Sequence, residues 1–305
     1  MRRELKDVKE FANEIKNRLE GIYPGTEIRV SEVTKDNDSI KIGISVIVKE
    51  RDFSPQIYLN ELFEEYKSGK RSIDEITLFV QGIFDDQSEK PWCSINLNML
   101  QNWDALKQLV IIRLLGIEKN QEYLKDAVYK EVCDDLAAVA YICFDIQANG
   151  ITTSKLTKDH FESLGVNKKE LFDAALKNTM DAFPANLRGM NETITSMMGS
   201  DMFGIAPEEE IMYVLSNNYL INGAVSILYP NILKNFCASH DVDKLVILPS
   251  SVHETILVLP GIMMDKDELR NMVMEINDNV VRGGEILSDS VYIYTLENDE
   301  IHVLE

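Results

Sequence analysis

Hydroxyl, imidazole and carboxylate side chains come together at one place in this 305-residue chain, the segment Pro249-Ser250-Ser251-Val252-His253-Glu254. A nucleophilic hydrolase needs a serine whose proton reaches a histidine, and a carboxylate that orients that histidine. The segment therefore raises the hypothesis of a hydrolase or transferase site at Ser250, Ser251, His253 and Glu254.

The expected backbone of this segment works against such a triad. If the chain is extended from Ser251, then Ser251 and His253 share one face of a strand while Glu254 points to the other. Same-face neighbours on a strand lie about 6.5 Å apart, whereas proton transfer needs about 3 Å. The sequence also has no Gly-x-Ser-x-Gly turn to expose a serine. A polar turn whose hydroxyls bond its own backbone is the favoured alternative.

Side-chain amides form a second polar motif, Asn217-Asn218 followed by Asn222. The motif follows a predicted strand and opens a helical segment, so its amides and the free helix N–H groups could hold an anion or a peptide backbone. In the favoured alternative, Asn222 caps the helix and Asn218 takes a left-handed turn. If these residues form a binding site, the convergence of loops at neighbouring strand ends should bring Asn218 or Asn222 close to His253. Ser251 and His253 are then expected to face the same open surface.

Signatures of metal and cofactor binding are incomplete or absent. His253-Glu254 lacks the second histidine of His-Glu-x-x-His, and the other histidines complete no metal-binding motif. Gly69-Lys70-Arg71-Ser72 does not match a phosphate-binding loop, and no Gly-x-Gly-x-x-Gly occurs. The adjacent carboxylates Asp134-Asp135 are interpreted as solvated surface. The sequence therefore predicts no metal site and no cofactor.

The charge balance disfavours several classes of partner. The chain has 31 Lys and Arg against 51 Asp and Glu, a net charge of −20, which repels nucleic-acid phosphates and anionic lipid surfaces. Its longest apolar stretch, Leu136–Phe144, is much shorter than the ~20 residues of a membrane span. No apolar signal core follows Met1. We therefore predict a cytoplasmic protein with reduced cysteines that binds neither nucleic acid nor membranes.

Apolar spacing predicts an α+β protein with three regions. Residues 1–183 form an N-terminal mixed α/β region that begins with an amphipathic helix and a hairpin. Residues 184–208 are rich in methionine and glycine, which indicates a linker or a mobile flap. Residues 209–305 show the order β-α-β-β-α-β with one added strand, which is typical of a split βαβ (ferredoxin-like) sandwich.

Two stretches of the N-terminal region share an order of predicted elements. Leu59–Gly82 and Leu156–Asn178 each contain a short helix, a turn with glycine and a capped longer helix. Phe63 and Phe161 occupy comparable places in them. Because the spacings differ by three residues, the pattern supports only a weak internal repeat.

Four motifs stand in order along the chain. They are residues 53–60 (FSPQIYLN), 217–224 (NNYLINGA), 247–254 (ILPSSVHE) and 287–292 (LSDSVY). On these motifs, and over nearly its whole length, the chain resembles a domain-of-unknown-function family of anaerobic Gram-positive bacteria. The resemblance implies a single folded cytosolic chain, and it implies no activity, cofactor or catalytic residue.

These observations favour a non-enzymatic cytoplasmic binding or regulatory protein whose partner is a protein or a small molecule. The hypothesis depends on the lack of any complete catalytic or cofactor motif. The alternative is a hydrolase or transferase with its site near Ser250, Ser251, His253 and Glu254. An enzyme would need a concave pocket in which His253 reaches a Ser, Asp or Glu. If these residues form a binding site, His253→Ala should abolish binding while barely altering thermal stability.

Overall fold

A computed structural model of the chain describes residues 5–47, 54, 56–88, 97–147, 150–198, 210–260 and 265–304. It contains helices and three sheets in which the described strand pairs are antiparallel, so the predicted α+β class is confirmed. The chain forms two compact units, Met1–Gln101 and Asn102–Glu305. Phe53 and Pro55 of the first motif lie outside the described residues, as do residues 199–208 of the predicted linker.

The first unit buries one core between its helices and a three-stranded sheet. Its elements are α1 (Val8–Ile22), β1 (Glu27–Thr34), β2 (Ile40–Ile47), β3 (Gln56–Tyr58), α2 (Asn60–Lys67), α3 (Ile73–Ser88) and α4 (Leu97–Leu100). The sheet order is β1-β2-β3. Asp7 caps α1 by accepting the N–H groups of its first turn, and the apolar stripe Phe11, Ile15 and Leu19 is fully buried in the core. The predicted N-terminal helix and hairpin are therefore confirmed.

The second unit begins with a sheet in the strand order β4-β6-β5, to which β7 adds by pairing with β6. The elements are α5 (Trp103–Leu106), β4 (Val110–Gly116), α6 (Gln121–Leu124), β5 (Tyr129–Val132), β6 (Leu136–Gln147), β7 (Gly150–Lys155), α7 (Lys158–Ser163) and α8 (Lys168–Ala182). Thr157 caps α7 and Asn167 caps α8, each by accepting a backbone N–H in the first turn. The helix pairs α2–α3 and α7–α8 occupy the two stretches of the predicted repeat, which itself stays a prediction.

A six-stranded sheet completes the second unit, in the order β13-β12-β10-β11-β9-β8. The elements are β8 (Ala185–Gly189), α9 (Met190–Met198), β9 (Met212–Asn217), a 3-10 helix (Gly223–Leu228), α10 (Ile232–Ser239), β10 (Lys244–Ser251), β11 (Glu254–Val258), α11 (Lys266–Asn279), a second 3-10 helix (Gly283–Glu285), β12 (Tyr292–Thr295) and β13 (Glu300–Val303). Leu269 and Val273 of α11 pack on Leu248 and Val258. One face of the sheet is thus covered by a helix.

The order of elements in this sheet follows the predicted β-α-β-β-α-β pattern, but a ferredoxin-like sandwich is not confirmed. That arrangement places its first and third strands at the centre, whereas here the hairpin β10–β11 is central, with β9 beside β11 and β12 beside β10. The sequence pattern predicts most of these strands but not their neighbours, because strand order depends on contacts between distant residues.

Residues 185–189 of the predicted linker form the edge strand β8, paired with β9 along its whole length. Its side chains are half-buried or exposed, so it lacks the apolar alternation by which strands are recognised. The division of the chain at residue 101 also differs from the predicted boundaries at 183 and 208. Hydrogen bonds cross those positions: the Tyr229 hydroxyl donates to the Phe183 carbonyl at 2.9 Å.

Candidate functional site

The segment that carries the predicted site is the tight connection between β10 and β11. Strand pairing continues through a bulge to Ser251 and Glu254, which are partners, so only Val252 and His253 lie between the two strands. The polar turn of this segment is therefore only two residues long. Strand β10 extends through Pro249 because the irregular register at that point accommodates a residue that cannot donate a ladder hydrogen bond.

The two polar motifs of the sequence meet at this turn, as expected. The N–H of Asn222 donates to His253 Nδ1 at 3.0 Å, and the Ser216 hydroxyl donates to the His253 carbonyl at 2.7 Å. The N–H of Ala224 donates to the Val252 carbonyl at 3.2 Å. These bonds join the loop after β9 to the β10–β11 turn.

The asparagines of this loop do not form the predicted helix cap. Asn222 has a left-handed backbone (φ 53) and makes no capping bond with its side chain. Leu220 (φ 55) takes the other left-handed position, whereas Asn218 is exposed and its N–H donates to the Pro184 carbonyl at 3.1 Å. Asn217 is 1% exposed and bonds Tyr219 and Ile221 within the loop. The cap prediction was wrong because the side chain of Asn217, rather than that of Asn222, satisfies the loop backbone.

The geometry of His253 favours a structural role over proton transfer. Its Nδ1 accepts the Asn222 N–H, so the proton of the neutral ring lies on Nε2. Nε2 lies 3.9 Å from a carboxylate oxygen of Glu285. A general base must direct its lone pair at the proton of the nucleophile, and here the lone pair is directed at a backbone amide.

The serines and Glu254 of the segment are also bonded within the turn. The Ser250 hydroxyl donates to Glu254 Oε1 at 3.1 Å, and the Ser251 hydroxyl accepts the N–H of His253 at 3.1 Å. The structure therefore brings Ser250 to Glu254 and Ser251 to the backbone of His253. This is the polar turn of the favoured alternative, with its hydroxyls bonding local groups.

The described cysteines are free thiols whose burial raises the pKa of each sulfur. The pKa of Cys133 is raised to about 12, and the pKa values of Cys143 and Cys237 to about 11. The thiolate is the reactive form, so burial disfavours reaction of these sulfurs at neutral pH. Cys93 lies outside the described residues.

The described residues contain neither a cluster of metal ligands nor a membrane-spanning helix. In these parts of the chain, no group of three or more His, Cys, Asp or Glu side chains is placed to hold a metal ion. No helix in the same ranges is long and apolar enough to cross a membrane.

Asp135 is the centre of a hydrogen-bond cluster that sequence reasoning missed. Its carboxylate accepts the hydroxyls of Tyr292 at 2.6 Å, Ser290 at 2.7 Å and Ser288 at 3.1 Å. Burial first, and the Asp135 charge second, raise the pKa of Tyr292. The interpretation of Asp134-Asp135 as solvated surface was wrong for Asp135, which is half-buried, because its partners lie about 150 residues away along the chain.

An open cavity of about 710 Å³ lies beside β5, α7 and α8. Its lining combines four lysines, three aromatic rings and three carboxylates with two small apolar residues: Lys130, Lys158, Lys168, Lys169, Tyr129, Phe161, Phe172, Glu131, Glu162, Asp173, Ala127 and Val128. No sequence motif predicts this cavity, because its lining residues come from a strand and two helices spread over 47 positions of the chain.

The edge of β5 that does not pair with β6 borders this cavity. The Ala140 N–H donates to the Val128 carbonyl at 2.9 Å. Because backbone groups along a strand point alternately to its two edges, this bond shows which residues of β5 direct their N–H and C=O groups toward β6. In the observed register, Lys130 directs its backbone groups toward β6, whereas Tyr129 and Glu131 direct theirs away from the sheet. Within the described residues, no backbone hydrogen bond reaches the N–H or C=O of Tyr129 or Glu131 outside the strand ladders.

The opposite edge of the same sheet is covered by α8. The Thr179 hydroxyl accepts the Ile112 N–H at 2.9 Å, and the Asn178 amide donates to the Val110 carbonyl at 2.8 Å. Covering an edge in this way is a common protection against unwanted strand pairing. The β4 edge of the sheet is therefore covered by α8, whereas the outer edge of β5 has no backbone partner among the described residues.

A family model described as a family of unknown function, DUF5688, matches residues 8–295. The match includes all four motifs on which the resemblance depends and most of both compact units. No curated protein and no solved structure matches the chain.

Proposed function

The chain belongs to the DUF5688 family of unknown function, and we propose that it is a non-enzymatic binding protein that holds an extended segment of a partner polypeptide. The segment adds as a strand to the open edge of β5. The observation that carries the proposal is the outward direction of the Tyr129 and Glu131 backbone groups at the 710 Å³ cavity.

Strand addition suits this edge for two physical reasons. Main-chain hydrogen bonds to an exposed sheet edge give affinity, and pockets for alternate side chains give specificity. The cavity has the volume of a typical ligand site, and Phe161 and Phe172 give it apolar walls. A partner strand would therefore bury apolar surface and satisfy the two outward N–H and C=O pairs at once.

The orientation of His253 supports a binding role over a hydrolase or transferase in which this histidine activates a serine. His253 directs its Nδ1 lone pair at Asn222, and Ser250 donates to Glu254. These hydrogen bonds hold polar groups of the turn and the loop in place, and they do not require a catalytic role for any of the residues.

A cytoplasmic location accompanies this proposal, with reduced thiols and no nucleic-acid or membrane partner, since the net charge of −20 disfavours anionic surfaces. We extend the resemblance in the same way and propose that the chain comes from an anaerobic Gram-positive bacterium. Fractionation of the source cells would test the location, because a membrane-bound pool resistant to salt would contradict it.

The proposal is tested by changing the backbone of β5 without changing its ladder. Glu131→Pro removes an outward N–H, and proline is tolerated on an edge strand where that group does not pair. Glu131→Ala is the matched control, because it removes the same carboxylate and keeps the N–H. Fluorescence anisotropy would measure the binding of labelled octapeptides in which valine alternates with glutamate, glutamine or lysine.

For the octapeptide that binds most tightly to the wild type, we expect Glu131→Pro to weaken binding about tenfold, since a backbone hydrogen bond contributes about 1 kcal/mol and the proline ring obstructs the added strand. Glu131→Ala should change affinity less than about threefold, as an exposed charge does. Both variants should keep the thermal stability of the wild type. Equal affinity in the two variants, or no binding of any octapeptide at millimolar concentration, would contradict the proposed function.

A further inference from the structure

We propose that the segment bound at β5 is acidic, an inference that rests on the proposed function and names the class of its partner. The cavity presents lysines that lack carboxylate partners within the described part of the chain. An extended segment with glutamate or aspartate side chains would supply those partners.

Several lysines elsewhere on the surface already have carboxylate partners. Lys107 pairs with Asp104, and Lys125 pairs with Glu122. In the cavity, Lys169 pairs with Asp173. The other three lysines of the lining, Lys130, Lys158 and Lys168, have no carboxylate within 4.0 Å among the described residues.

Contacts place two of these lysines near β5, and strand alternation places the third. Lys158 Nζ donates to the Lys125 carbonyl at 2.6 Å, and Lys168 Nζ lies 5.8 Å from the centre of the Tyr129 ring. Lys130 lies on the opposite face of β5 from Tyr129, because side chains alternate along a strand. An added strand would therefore find a cation beside each of its two faces.

The local charge of the cavity differs from that of the whole chain. The lining holds four lysines against three carboxylates, whereas the whole chain has a net charge of −20. Lys168 and Lys169 are also the first residues of α8, where the helix dipole adds positive potential. Because salt screens charges beyond about 8 Å at physiological ionic strength, these nearby cations govern the docking of a segment more than the distant carboxylates do.

A second copy of this chain is a poorer occupant of the edge. An antiparallel copy of β5 that paired Tyr129 with Glu131 would place Lys130 opposite its own counterpart, and like charges in that position are destabilising. A register centred on Glu131 would oppose two glutamates in the same way. A register centred on Tyr129 would need the Ala127 N–H, which already donates to the Leu124 carbonyl at 3.3 Å. The charges of this edge therefore disfavour self-pairing.

The experiment compares the three octapeptides on the full chain. Either register of the alternating glutamate peptide puts carboxylates beside a lysine, at Lys130 in one and at Lys168 in the other. The test variant replaces Lys130, Lys158 and Lys168 by glutamine. The control is Lys177→Gln, which removes a paired lysine of the same helix that does not line the cavity.

We expect the wild type to bind the glutamate peptide about tenfold more tightly than the glutamine peptide, since three exposed ion pairs contribute a few-fold each. The triple variant should lose this preference while keeping its affinity for the glutamine peptide, and added salt should reduce the preference. Lys177→Gln should bind as the wild type does. Equal wild-type affinity for the glutamate and glutamine peptides, or a preference for the lysine peptide, would overturn the inference and leave the proposed function standing.

Failure of the proposed function has a different signature, because none of the three peptides would then bind. Sedimentation adds a further outcome. A wild-type dimer that Glu131→Pro dissociates would overturn the inference in favour of a second copy of the chain.

Discussion

Replacing Asp135 by alanine should destabilise the second unit strongly, because three hydroxyls depend on its carboxylate. The donors lie 2.6, 2.7 and 3.1 Å from the carboxylate oxygens. Tyr292 is 1% exposed and Ser288 is 6% exposed, so water cannot readily replace the lost acceptor. A buried donor without a partner costs about 1–3 kcal/mol, and Ser290 is half-buried. We therefore expect Asp135→Ala to lower the free energy of unfolding by about 3–5 kcal/mol.

A double-mutant cycle separates the cluster from general damage to the turn. Tyr292→Phe removes one donor and leaves the carboxylate two others, so we expect a loss of about 1–2 kcal/mol. Asp135→Ala alone leaves the buried Tyr292 hydroxyl without an acceptor, and adding Tyr292→Phe removes that hydroxyl. The double variant should therefore lose about 1–2 kcal/mol less than the sum of the single losses. Asp134→Asn is a control in the same turn. It keeps an acceptor for the Val303 N–H, which is 2.8 Å away, and tolerates the left-handed backbone (φ 69).

Urea unfolding followed by circular dichroism measures these differences as shifts in the midpoint at constant slope. The reasoning would be refuted if Asp135→Ala cost less than about 1 kcal/mol, or if the losses of the two single variants simply added. Either result would mean that the three hydroxyls find equivalent partners elsewhere and that the carboxylate does not hold the turn in place.

Three further predictions concern the turn at β10–β11 and the C-terminal strand. His253→Ala should lower the free energy of unfolding by about 1–2 kcal/mol, because it leaves the Asn222 N–H without its acceptor. His253→Asn, whose Oδ1 can accept that bond, should recover most of the loss in urea unfolding. Unchanged stability of the alanine variant would contradict the structural role. Gly223→Ala should cost more than about 3 kcal/mol, since the added Cβ would lie 2.5 Å from the His253 carbonyl oxygen and 2.3 Å from a serine hydroxyl; a thermal melt within a few degrees of the wild type would show that the close approach is not needed. The Asp134 hydrogen bond raises the pKa of His302 above 6.5, and the Val303 N–H, followed by His302, lowers the pKa of Asp134 below 3.8. The stabilisation from His302 is therefore complete below pH 6.5 and is lost as the pH rises through its folded-state pKa, while that from Asp134 is lost as the pH falls through its own. His302→Gln should flatten the unfolding free energy above pH 6.5, and an unaltered pH profile would exclude the pair.

Local signals in the sequence predicted several helices and strands, and also one contact between residues that are distant along the chain. The helical spacing of Phe11, Ile15 and Leu19 is enough to identify α1, and Thr157 and Asn167 are recognisable caps of α7 and α8, because these effects act within one helical turn. The expectation that Asn218 or Asn222 approaches His253 was met by Asn222 through its backbone N–H. The inference assumed that the strand before Asn217 lies next to the β10–β11 hairpin, and the pairing of β9 with β11 meets that condition.

Non-local features were beyond the sequence for identifiable reasons. The placement of β10 and β11 at the centre of the sheet depends on which strands pair, and apolar alternation carries no information on that choice. Asp135 looked like surface because its three hydroxyl partners are distant in sequence. Which backbone groups of β5 remain unpaired depends on its register with β6. A shift of one residue would exchange the N–H and C=O groups that face β6 with those that face outward.

Amide hydrogen exchange at β5, measured residue by residue with and without the glutamate–valine octapeptide, tests strand addition most directly. The Tyr129 and Glu131 amides point away from the sheet, whereas the Lys130 amide already faces β6 in the observed register. Bound peptide should therefore slow exchange at Tyr129 and Glu131 and leave Lys130 nearly unchanged, because only outward amides gain a partner. A peptide that binds without protecting these two amides, or that protects the β10–β11 turn around His253 instead, would contradict the account.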